Sequence, residues 1–342
     1  MTLSADSLAS LPKVELHVHL EGSIRAGTAI ELAERHGEDP QAVLVLEDGR
    51  YPRRFRSFLH FVDTYLATSR QLRDPADLRT AAADFARAQA AQHVRYTEAT
   101  FTAVTHVRNG MEPRAMWEAV SEGFASVAET EVRLIVDAVR NLGREHAEET
   151  VALVEDALAD GAPIAGLGLA GIEGSAPETE LTVLRSAADR LGLGLAVHAG
   201  ETGSADDVRR ALDVLGADRI GHGIAVVGDP ALVERLVREG VPLEVCPSSN
   251  VSLGIVEDLE EHPFARMWHA GLAVTVNSDD PPFFSTTLTD ELGHAARLAG
   301  LGRPDVAELQ RRAARAAFLS PDRRDALLGE IDAWEQDGSQ AG

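Results

Sequence analysis

The sequence predicts an α/β fold, specifically a (β/α)8 barrel. Three observations support this. Short apolar, β-branched runs recur eight times along the 342 residues, segments with helical spacing separate them, and the polar residues suited to chemistry follow the ends of the runs. Short continuous apolar runs are typical of strands buried on both faces, and their alternation with helices indicates a parallel sheet. Eight such units favour a closed barrel over the alternative, a doubly wound open sheet.

Each predicted strand is four to eight residues long. The strands span residues 14–18, 94–100, 132–139, 164–169, 194–198, 219–222, 241–246 and 273–277. Six of the intervening helices are predicted at residues 75–92, 112–130, 144–160, 178–191, 206–215 and 230–239. Prolines lie near the start of several of these helices and glycines follow the end of several, as expected for helix boundaries.

The long segment between the first two strands, residues 22–92, exceeds what a minimal barrel needs. We expect it to lie over the catalytic face as a helical lid, with one helix at residues 53–70. Phe58 and Phe61 belong to an aromatic series in that helix with spacings of three and four residues. Such a stripe predicts either the packed side of the helix or a wall of an apolar substrate pocket.

After the last strand, three further helices are predicted at residues 288–299, 304–316 and 321–337, where they would close the barrel. No linker or internal repeat interrupts the pattern, so the sequence predicts a single domain over residues 1–342. No feature of the sequence predicts an oligomeric state.

Composition excludes several classes of protein. The net charge is −23, from 32 Lys+Arg and 55 Asp+Glu, so the surface would repel the phosphates of nucleic acids, and we expect no nucleic-acid partner. Cys246 is the only cysteine, which rules out an intrachain disulfide and a CxxC zinc motif. No apolar run approaches the ~20 residues of a membrane span, and the first ten residues do not resemble a signal peptide. We therefore predict a soluble, cytoplasmic protein without a membrane partner.

Lys13 is the only lysine, because every other basic side chain apart from histidine is arginine. Schiff-base enzymes, pyridoxal enzymes and P-loops all need a placed lysine, and so does a two-metal site bridged by a carboxylated lysine. Lys13 precedes the first strand instead of ending one, so these mechanisms are disfavoured.

Four residues at predicted strand ends have the side chains of a metal site. His17 and His19 alternate along the first strand and therefore point to the same side. His198 ends the fifth strand and Asp279 follows the eighth. Three imidazoles and one carboxylate suit Zn²⁺, although Fe²⁺, Mn²⁺ or Co²⁺ would accept the same ligands. A closed structural zinc site is the alternative, but such sites favour cysteine.

Two neighbouring residues are candidates for proton transfer. Glu201 lies just past the fifth strand and His222 ends the sixth. A metal ion lowers the pKa of its bound water to about 7, so His222 could take the proton of that water. Glu201 could donate a proton to the substrate if an apolar pocket raised its pKa. Asp280, beside a predicted ligand, would contact the substrate or support the metal site.

The motifs HVHLEGS, LAGIE, HAGE, RIGHGI and NSDDP occur in this order and resemble those of the adenosine deaminase group of the amidohydrolase superfamily. The resemblance extends from Leu11 to about Phe318. It implies that His17, His19, His198 and Asp279 bind zinc. It also implies that Glu201 protonates the purine ring and that His222 orients or deprotonates the attacking water.

The same resemblance implies a set of contacts to a small purine substrate. Asp280 would meet the imidazole-ring nitrogen of the purine, and the backbone N–H of Gly171 would meet another ring nitrogen. Glu21 stands where a ribose-contacting aspartate is often found in the family. We also expect His19, Phe58 and Phe61 to contact the substrate. The implied reaction is hydrolytic deamination of a 6-aminopurine with release of ammonia. A barrel that binds metal and purine without turnover would lack Glu201 or His222, and a phosphoester hydrolase would need cationic groups at the strand ends.

The departures from the family pattern concern the substrate. Glu21 replaces a familiar aspartate, Gly168 replaces a strand-four aspartate, and the FFDPQ-like run of adenine deaminases is missing. The run Asp279–Phe284 resembles bacterial relatives that act on aminodeoxyfutalosine in menaquinone synthesis. Adenosine or deoxyadenosine is therefore the first expectation, in purine salvage. Aminodeoxyfutalosine or another modified adenine nucleoside is the second, and free adenine is the third.

Overall fold

The computed structural model describes residues 5–340 and confirms the predicted barrel. Eight parallel strands follow one another in chain order around a single sheet. They are β1 (Lys13–His19), β2 (Val94–Phe101), β3 (Glu131–Val139), β4 (Ile164–Ala170), β5 (Gly194–Ala199), β6 (Arg219–His222), β7 (Pro242–Val245) and β8 (Ala273–Val276). Backbone bonds close the ring just past β8, where His19 N donates to Asp279 O at 2.9 Å and Asp279 N donates to His17 O at 3.0 Å.

Helices precede, connect and follow the strands. In chain order they are α1 (Ala5–Ser10), α2 (Ala26–Arg35), α3 (Pro40–Val43), α4 (Phe58–Ser69), α5 (Pro75–Ala91), α6 (Ala103–Arg108), α7 (Pro113–Ala125), α8 (Gly143–Ala159), α9 (Val183–Leu191), α10 (Ala205–Asp213), α11 (Pro230–Glu239), α12 (Pro247–Ser252), α13 (Phe264–His269), α14 (Pro281–Phe284), α15 (Leu288–Ala299), α16 (Arg303–Ala316) and α17 (Pro321–Gln340). Short 3₁₀ helices span Glu21–Ser23, Arg140–Leu142, Glu178–Glu180 and Ile224–Gly228. None of the helices in the described part of the chain has the length and apolarity that crossing a membrane requires.

Two predicted helices differ from the structure at their N-terminal ends. The helix predicted at 178–191 is divided into a 3₁₀ turn and α9, and the buried Glu178 of the turn pairs with Arg210 of α10 at 3.2 Å. The helix predicted at 53–70 begins only at Phe58, because the Ser57 hydroxyl accepts a hydrogen bond from His60 N and caps it there.

Phe318, which follows α16, closes the N-terminal end of the barrel, which we call its floor. Gly194 leaves room for this ring, since a Cβ atom at Gly194 would lie 2.1 Å from it. The guanidinium of Arg219, on β6, stacks 3.8 Å from the ring centroid, and Arg219 Nη1 donates to Ala316 O at 2.9 Å. The segment after α16 is thereby fixed to the N-terminal end of β6.

Lys13 lies at the same end of the barrel, at the foot of β1. Its side chain is fully buried, and Nζ donates to the carbonyl oxygens of Gln92 and Leu11 at 2.6 and 3.0 Å. Burial lowers the pKa of Lys13 to about 7. The only lysine is therefore far from the strand ends where chemistry would take place, as its sequence position predicts.

Helix α4 and the loop before it lie over the C-terminal end of the barrel, and their aromatic residues have two roles. Tyr51 and Phe55 are buried against Phe283 and Phe284 of α14, with the rings of Tyr51 and Phe283 stacked at 4.0 Å. Phe61 packs on this cluster and also lines the cavity described below. The stripe in residues 53–70 is thus both a packing surface and a cavity wall.

Candidate active site

The four predicted metal ligands lie together at the C-terminal end of the barrel. His17 Nε2 lies 3.5 Å and His19 Nε2 lies 3.3 Å from Asp279 Oδ1. The rings of His17 and His198 have centroids 4.5 Å apart. Alternation along β1 turns both of its histidines inward, while Asp279 reaches the site from a left-handed backbone conformation with φ of 63°.

Hydrogen bonds on the outer side of the rings aim the opposite nitrogens at the centre. Glu244 Oε2 on β7 accepts from His17 Nδ1 at 2.9 Å, and Leu169 O lies 3.2 Å from His198 Nδ1. His17 Nε2 is buried without a hydrogen-bond partner in the described part of the chain. Ring nitrogens oriented by a carboxylate or carbonyl on their far side are the usual arrangement of metal-binding histidines. The residues therefore fit a divalent cation.

The charges around the cluster also favour a cation. Burial opposes ionisation of Asp279, but the adjacent imidazoles of His17 and His19 hold its pKa well below the usual range. Burial likewise opposes protonation of the two histidines, yet the neighbouring carboxylates raise the pKa of His17 to about 10 and that of His19 to about 9. Burial lowers the pKa of His198 well below its usual value and keeps this imidazole neutral, as a metal ligand must be.

A chain of buried charges connects the cluster of candidate metal ligands to the floor of the barrel. Glu244 Oε1 contacts Arg219 Nε at 2.6 Å, and Arg219 Nη2 contacts Glu98 Oε2 at the same distance. Glu98 Oε1 accepts from Tyr96 Oη at 2.9 Å and from Phe318 N at 2.6 Å. Because all three charged groups are almost fully buried, each depends on the others for compensation. The orientation of His17 is thus tied to the closure of the floor.

Glu201 and His222 lie beside the cluster. His222 Nε2 is 3.8 Å from Glu201 Oε1 and 4.0 Å from Asp279 Oδ2. Burial raises the pKa of Glu201 well above its usual value, and the Asp279 and Glu173 carboxylates add to the shift. Burial lowers the pKa of His222 to about 3, so its imidazole is neutral. The pair therefore offers a protonated acid and a neutral base in one pocket.

The loop that carries Glu201 is held by one carboxylate. Glu173, from the LAGIE motif, accepts hydrogen bonds from the backbone N–H groups of four consecutive residues, at 2.6 to 3.2 Å, spanning 200–203. Gly200 permits the turn with a φ of 72°. A backbone fixed at four points leaves the side chain of Glu201 little freedom, which is what a positioned general acid requires.

A cavity of about 280 Å³ opens onto the cluster from the direction of α4. Its inner end is formed by the ionisable residues of the site, and its outer part is mostly apolar, including Phe58, Phe61, Leu142 and Leu253. Among the described residues that line it there is neither a lysine nor an arginine. The cavity therefore suits an uncharged ring system with an extended substituent better than it suits a phosphate.

Of the predicted substrate-binding residues, most line this cavity. His19, Gly171, Asp280, Phe58 and Phe61 all do so.

Asp280 is the most confined of these residues. Its Oδ1 is buried without a hydrogen-bond partner in the described chain, and only a glycine at position 22 accommodates it, because a Cβ there would lie 1.5 Å from that oxygen. Gly171 has a φ of 95°, and a Cβ there would lie 2.7 Å from Asn141 Oδ1. At both positions glycine permits a backbone approach that a larger residue would block.

Glu21 differs from the other predicted contacts, because it is not among the cavity-lining residues. It is almost fully buried, and its Oε1 accepts from Thr102 N at 3.0 Å and lies 3.1 Å from His106 Nε2. The structure thus gives Glu21 a supporting position in the wall, and its contact with substrate stays a prediction.

Sequence reasoning missed three acidic residues of the site. Asp137 on β3 lines the cavity, Glu244 orients His17, and Glu173 holds the loop of Glu201. Asp137 and Glu244 lie in strands that were predicted to be buried on both faces. A carboxylate within such a strand was the available signal, because an uncompensated buried charge is costly.

Comparison with known proteins agrees with the site. The family model described as adenosine deaminase matches residues 12–334. An aminodeoxyfutalosine deaminase of Streptomyces coelicolor is 37% identical over 335 residues, which cover 96% of this chain and 85% of the relative. An adenine deaminase of the same organism is 38% identical over 336 residues, covering 96% and 97%.

Solved structures show the same similarity. The crystal structure of an adenine deaminase from Arthrobacter aurescens superimposes with a TM-score of 0.87 at 33% identity, covering 95% of this chain and 99% of that one. A zinc-bound amidohydrolase from Burkholderia ambifaria superimposes with a TM-score of 0.85 at 25% identity, covering 100% and 97%.

Proposed function

This chain belongs to the adenosine deaminase family of hydrolytic deaminases, and we propose that it deaminates a 6-aminopurine that carries a substituent on N9. The observation that carries the proposal is one cavity whose lining combines ionisable and apolar side chains. A buried cluster of histidines and carboxylates forms the inner end, and an apolar chamber continues outward from it. The inner end suits hydrolysis of the amino group, and the outer part has room for more than a purine ring.

His17, His19, His198 and Asp279 would hold the metal ion, for which we propose zinc, with Fe²⁺, Mn²⁺ and Co²⁺ as the other ions that these ligands accept. When bound, such an ion lowers the pKa of a coordinated water to about 7 and so supplies a nucleophile at neutral pH. The low pKa of Asp279 and the neutral state of His198 keep these two side chains ready for coordination.

Glu201 would act as the general acid. Its buried carboxyl group is protonated at neutral pH because its pKa is raised, and it can donate that proton to purine N1. Protonation lowers the cost of disrupting the aromatic ring when C6 is attacked. The Gly171 N–H would contact N3 of the purine and Asp280 would contact N7. Together with Glu201 at N1, these contacts would orient the purine so that C6 faces the candidate metal ligands.

His222 would serve the attacking water. Its ring lies within 4.0 Å of both Glu201 and Asp279, so its Nε2 is placed to orient the attacking water and to relay the proton that this water loses towards the departing amino group. The amino group then leaves as ammonia after a proton returns to it. This exchange needs one neutral base and one protonated acid, and the pocket contains both.

The substrate is where the comparisons weigh against our first expectation. The relatives described above act on aminodeoxyfutalosine and adenine, which supports the modified-nucleoside alternative better than adenosine. We therefore rank a modified adenine nucleoside such as aminodeoxyfutalosine first. Adenosine and free adenine are the competing substrates. A 6-aminopurine nucleotide ranks last, because the described cavity lining offers no cation for a phosphate.

The test is an ammonia-release assay of the zinc-loaded protein with aminodeoxyfutalosine, adenosine, deoxyadenosine, adenine and AMP. We expect the highest kcat/KM with a nucleoside and the lowest with AMP. If no 6-aminopurine is deaminated although metal binding is confirmed, the chain is a non-catalytic binding barrel and the proposal is wrong. A preference for AMP would contradict the role assigned to the apolar chamber.

A small-molecule partner, the absence of a nucleic-acid partner and a cytoplasmic location stay predictions.

A further inference from the structure

Asp137 is a buried carboxylate of the cavity that the mechanism above does not use. It lies on β3 with 2% of its surface exposed, and its side chain lines the same cavity as His19 and Glu201. Its Oδ1 has no hydrogen-bond partner in the described chain. A carboxylate oxygen that is buried and unpaired costs free energy, so its presence calls for a compensating role.

The neighbouring strand makes room for this carboxylate. Asp137 pairs in register with Gly168 on β4, and a Cβ atom at Gly168 would lie 2.9 Å from the Asp137 Cβ. Any larger residue at position 168 would therefore displace Asp137 from its inward position. The inward carboxylate thus depends on the pair, an aspartate on β3 and a glycine on β4.

The order of strands around the barrel places Asp137 opposite the N9 side of a bound purine. With C6 at the metal cluster, Glu201 after β5 faces N1, Gly171 after β4 faces N3, and Asp280 after β8 faces N7. N9 lies between N3 and N7 on the ring, so its substituent emerges between the sides of Gly171 and Asp280 and away from β5, and β2 and β3 lie in that sector. Asp137 belongs to this sector.

We propose that the Asp137 carboxylate accepts a hydrogen bond from a hydroxyl group of the N9 substituent and thereby selects nucleosides over 9-alkyl or free 6-aminopurines. This inference rests on the proposed function and deepens it. A carboxylate accepts hydrogen bonds from hydroxyl donors, and it leaves a purine without such a donor facing an unpaired buried oxygen. A site built to bond a hydroxyl rejects analogues that lack it, because its own polar group then stays unsatisfied.

The experiment compares kcat/KM for two substrates in the zinc-loaded wild type and in Asp137→Ala and Asp137→Asn. One substrate is a nucleoside, the faster of adenosine and aminodeoxyfutalosine, and the other is 9-methyladenine, which has no hydroxyl. We expect both variants to lose about 10–100-fold with the nucleoside, the size of one hydrogen bond to a charged group. With 9-methyladenine kcat/KM should not fall in either variant, because this substrate has no hydroxyl for the carboxylate to bond. Asp160→Asn, an exposed carboxylate-to-amide change at the end of α8, is the matched control.

Two further measurements separate recognition from a structural role. The melting temperatures of both variants should equal or exceed that of the wild type, because a buried carboxylate oxygen without a hydrogen-bond partner has been removed. In the wild type, kcat/KM for one of the three analogues 2′-, 3′- and 5′-deoxyadenosine should be lower than for adenosine by about the factor that the variants lose with the nucleoside. Replacing Asp137 should cause no further decrease in kcat/KM with that analogue.

If the Asp137 variants lose kcat/KM equally with the nucleoside and with 9-methyladenine, or lose none with the nucleoside, the inference is wrong and the deaminase function is unaffected. The same holds for a wild type that deaminates adenine and 9-methyladenine but no nucleoside. A wild type that is inactive on every 6-aminopurine would instead refute the proposed function itself.

Discussion

The inner and outer parts of the cavity are built in different ways. At the inner end the metal-cluster residues lie on or directly after barrel strands, and partners such as Glu244 hold them from behind. At the outer end the walls come largely from α4 and from loops, the side chains are apolar, and Leu142 at the rim is 47% exposed. The inner end is therefore held by directional hydrogen bonds, whereas the outer end is formed mainly by apolar contacts.

This difference indicates that the inner end of the cavity performs the reaction and that the outer end selects the substrate. Strand-borne groups with several hydrogen bonds keep the geometry that acid–base chemistry demands. Helix-borne apolar contacts have no preferred direction, so substitutions there change which molecule is bound without disturbing the reaction. The predictions below test this division and run from the largest expected effect to the smallest.

Removing a metal ligand should have the largest effect. We expect His198→Ala to lose bound metal and all measurable deamination, because the cluster is left with two imidazoles and one carboxylate. Elemental analysis after dialysis measures the metal. His269→Ala, which removes an exposed histidine on α13, should keep its full complement. A full zinc content in His198→Ala would contradict the ligand assignment.

Removing the acid should spare the metal. We expect Glu201→Gln to retain bound metal and to lower kcat by about 10²–10⁴-fold, the usual contribution of general acid–base catalysis. Steady-state kinetics and elemental analysis on the same preparation measure both quantities. If the variant keeps wild-type kcat, another group protonates the purine, and the inner end is not organised as we describe.

Loosening the support of one ligand should have an intermediate effect. We expect Glu244→Gln to weaken metal binding by about 10–100-fold, as is typical when the carboxylate behind a ligating histidine is lost. Competition with a chelator measures the affinity. Glu118→Gln, at an exposed glutamate on α7, should leave it unchanged. Unchanged affinity in Glu244→Gln would mean that His17 is oriented without the buried charge chain.

Changing the outer wall should have the smallest effect, and only on large substrates. We expect Phe61→Ala to raise KM for nucleosides about 10-fold, from ~1.5 kcal/mol of lost apolar contact, and to leave KM for adenine unaltered. Leu59→Ala, at a 61%-exposed position of the same helix, is the matched control. Equal changes for both substrates would show that α4 influences the chemistry as well as recognition.

Features encoded by neighbouring residues could be predicted from the sequence, whereas features that depend on contacts across the barrel could not. The strands and the candidate metal ligands could be picked out from the sequence, because apolar periodicity and the spacing of His17 and His19 are local signals. The roles of Glu244 and Asp137 were not predicted, since each depends on which neighbour lies across the barrel. The supporting position of Glu21 likewise depends on Thr102 and His106, which are distant in sequence.

Substrate preference was the least predictable property. It depends on the shape of a chamber to which the loops after β3 and β7 and helix α4 all contribute, and no short motif encodes that shape. The substitution at Gly168 was visible, but its meaning required the register that places Asp137 beside it. Motifs therefore indicate the reaction, while tertiary contacts decide the molecule on which it is performed.

The connection from Ala316 through Arg219 and Glu244 to His17 has a consequence for biosynthesis. Glu244 orients His17, and the Arg219 side chain that holds Glu244 is itself bonded to Ala316, so this chain of contacts is complete only after residue 316 has been synthesised. We expect nascent chains that stop short of the final helices to capture zinc poorly. Capture of the ion would then follow the synthesis of α16.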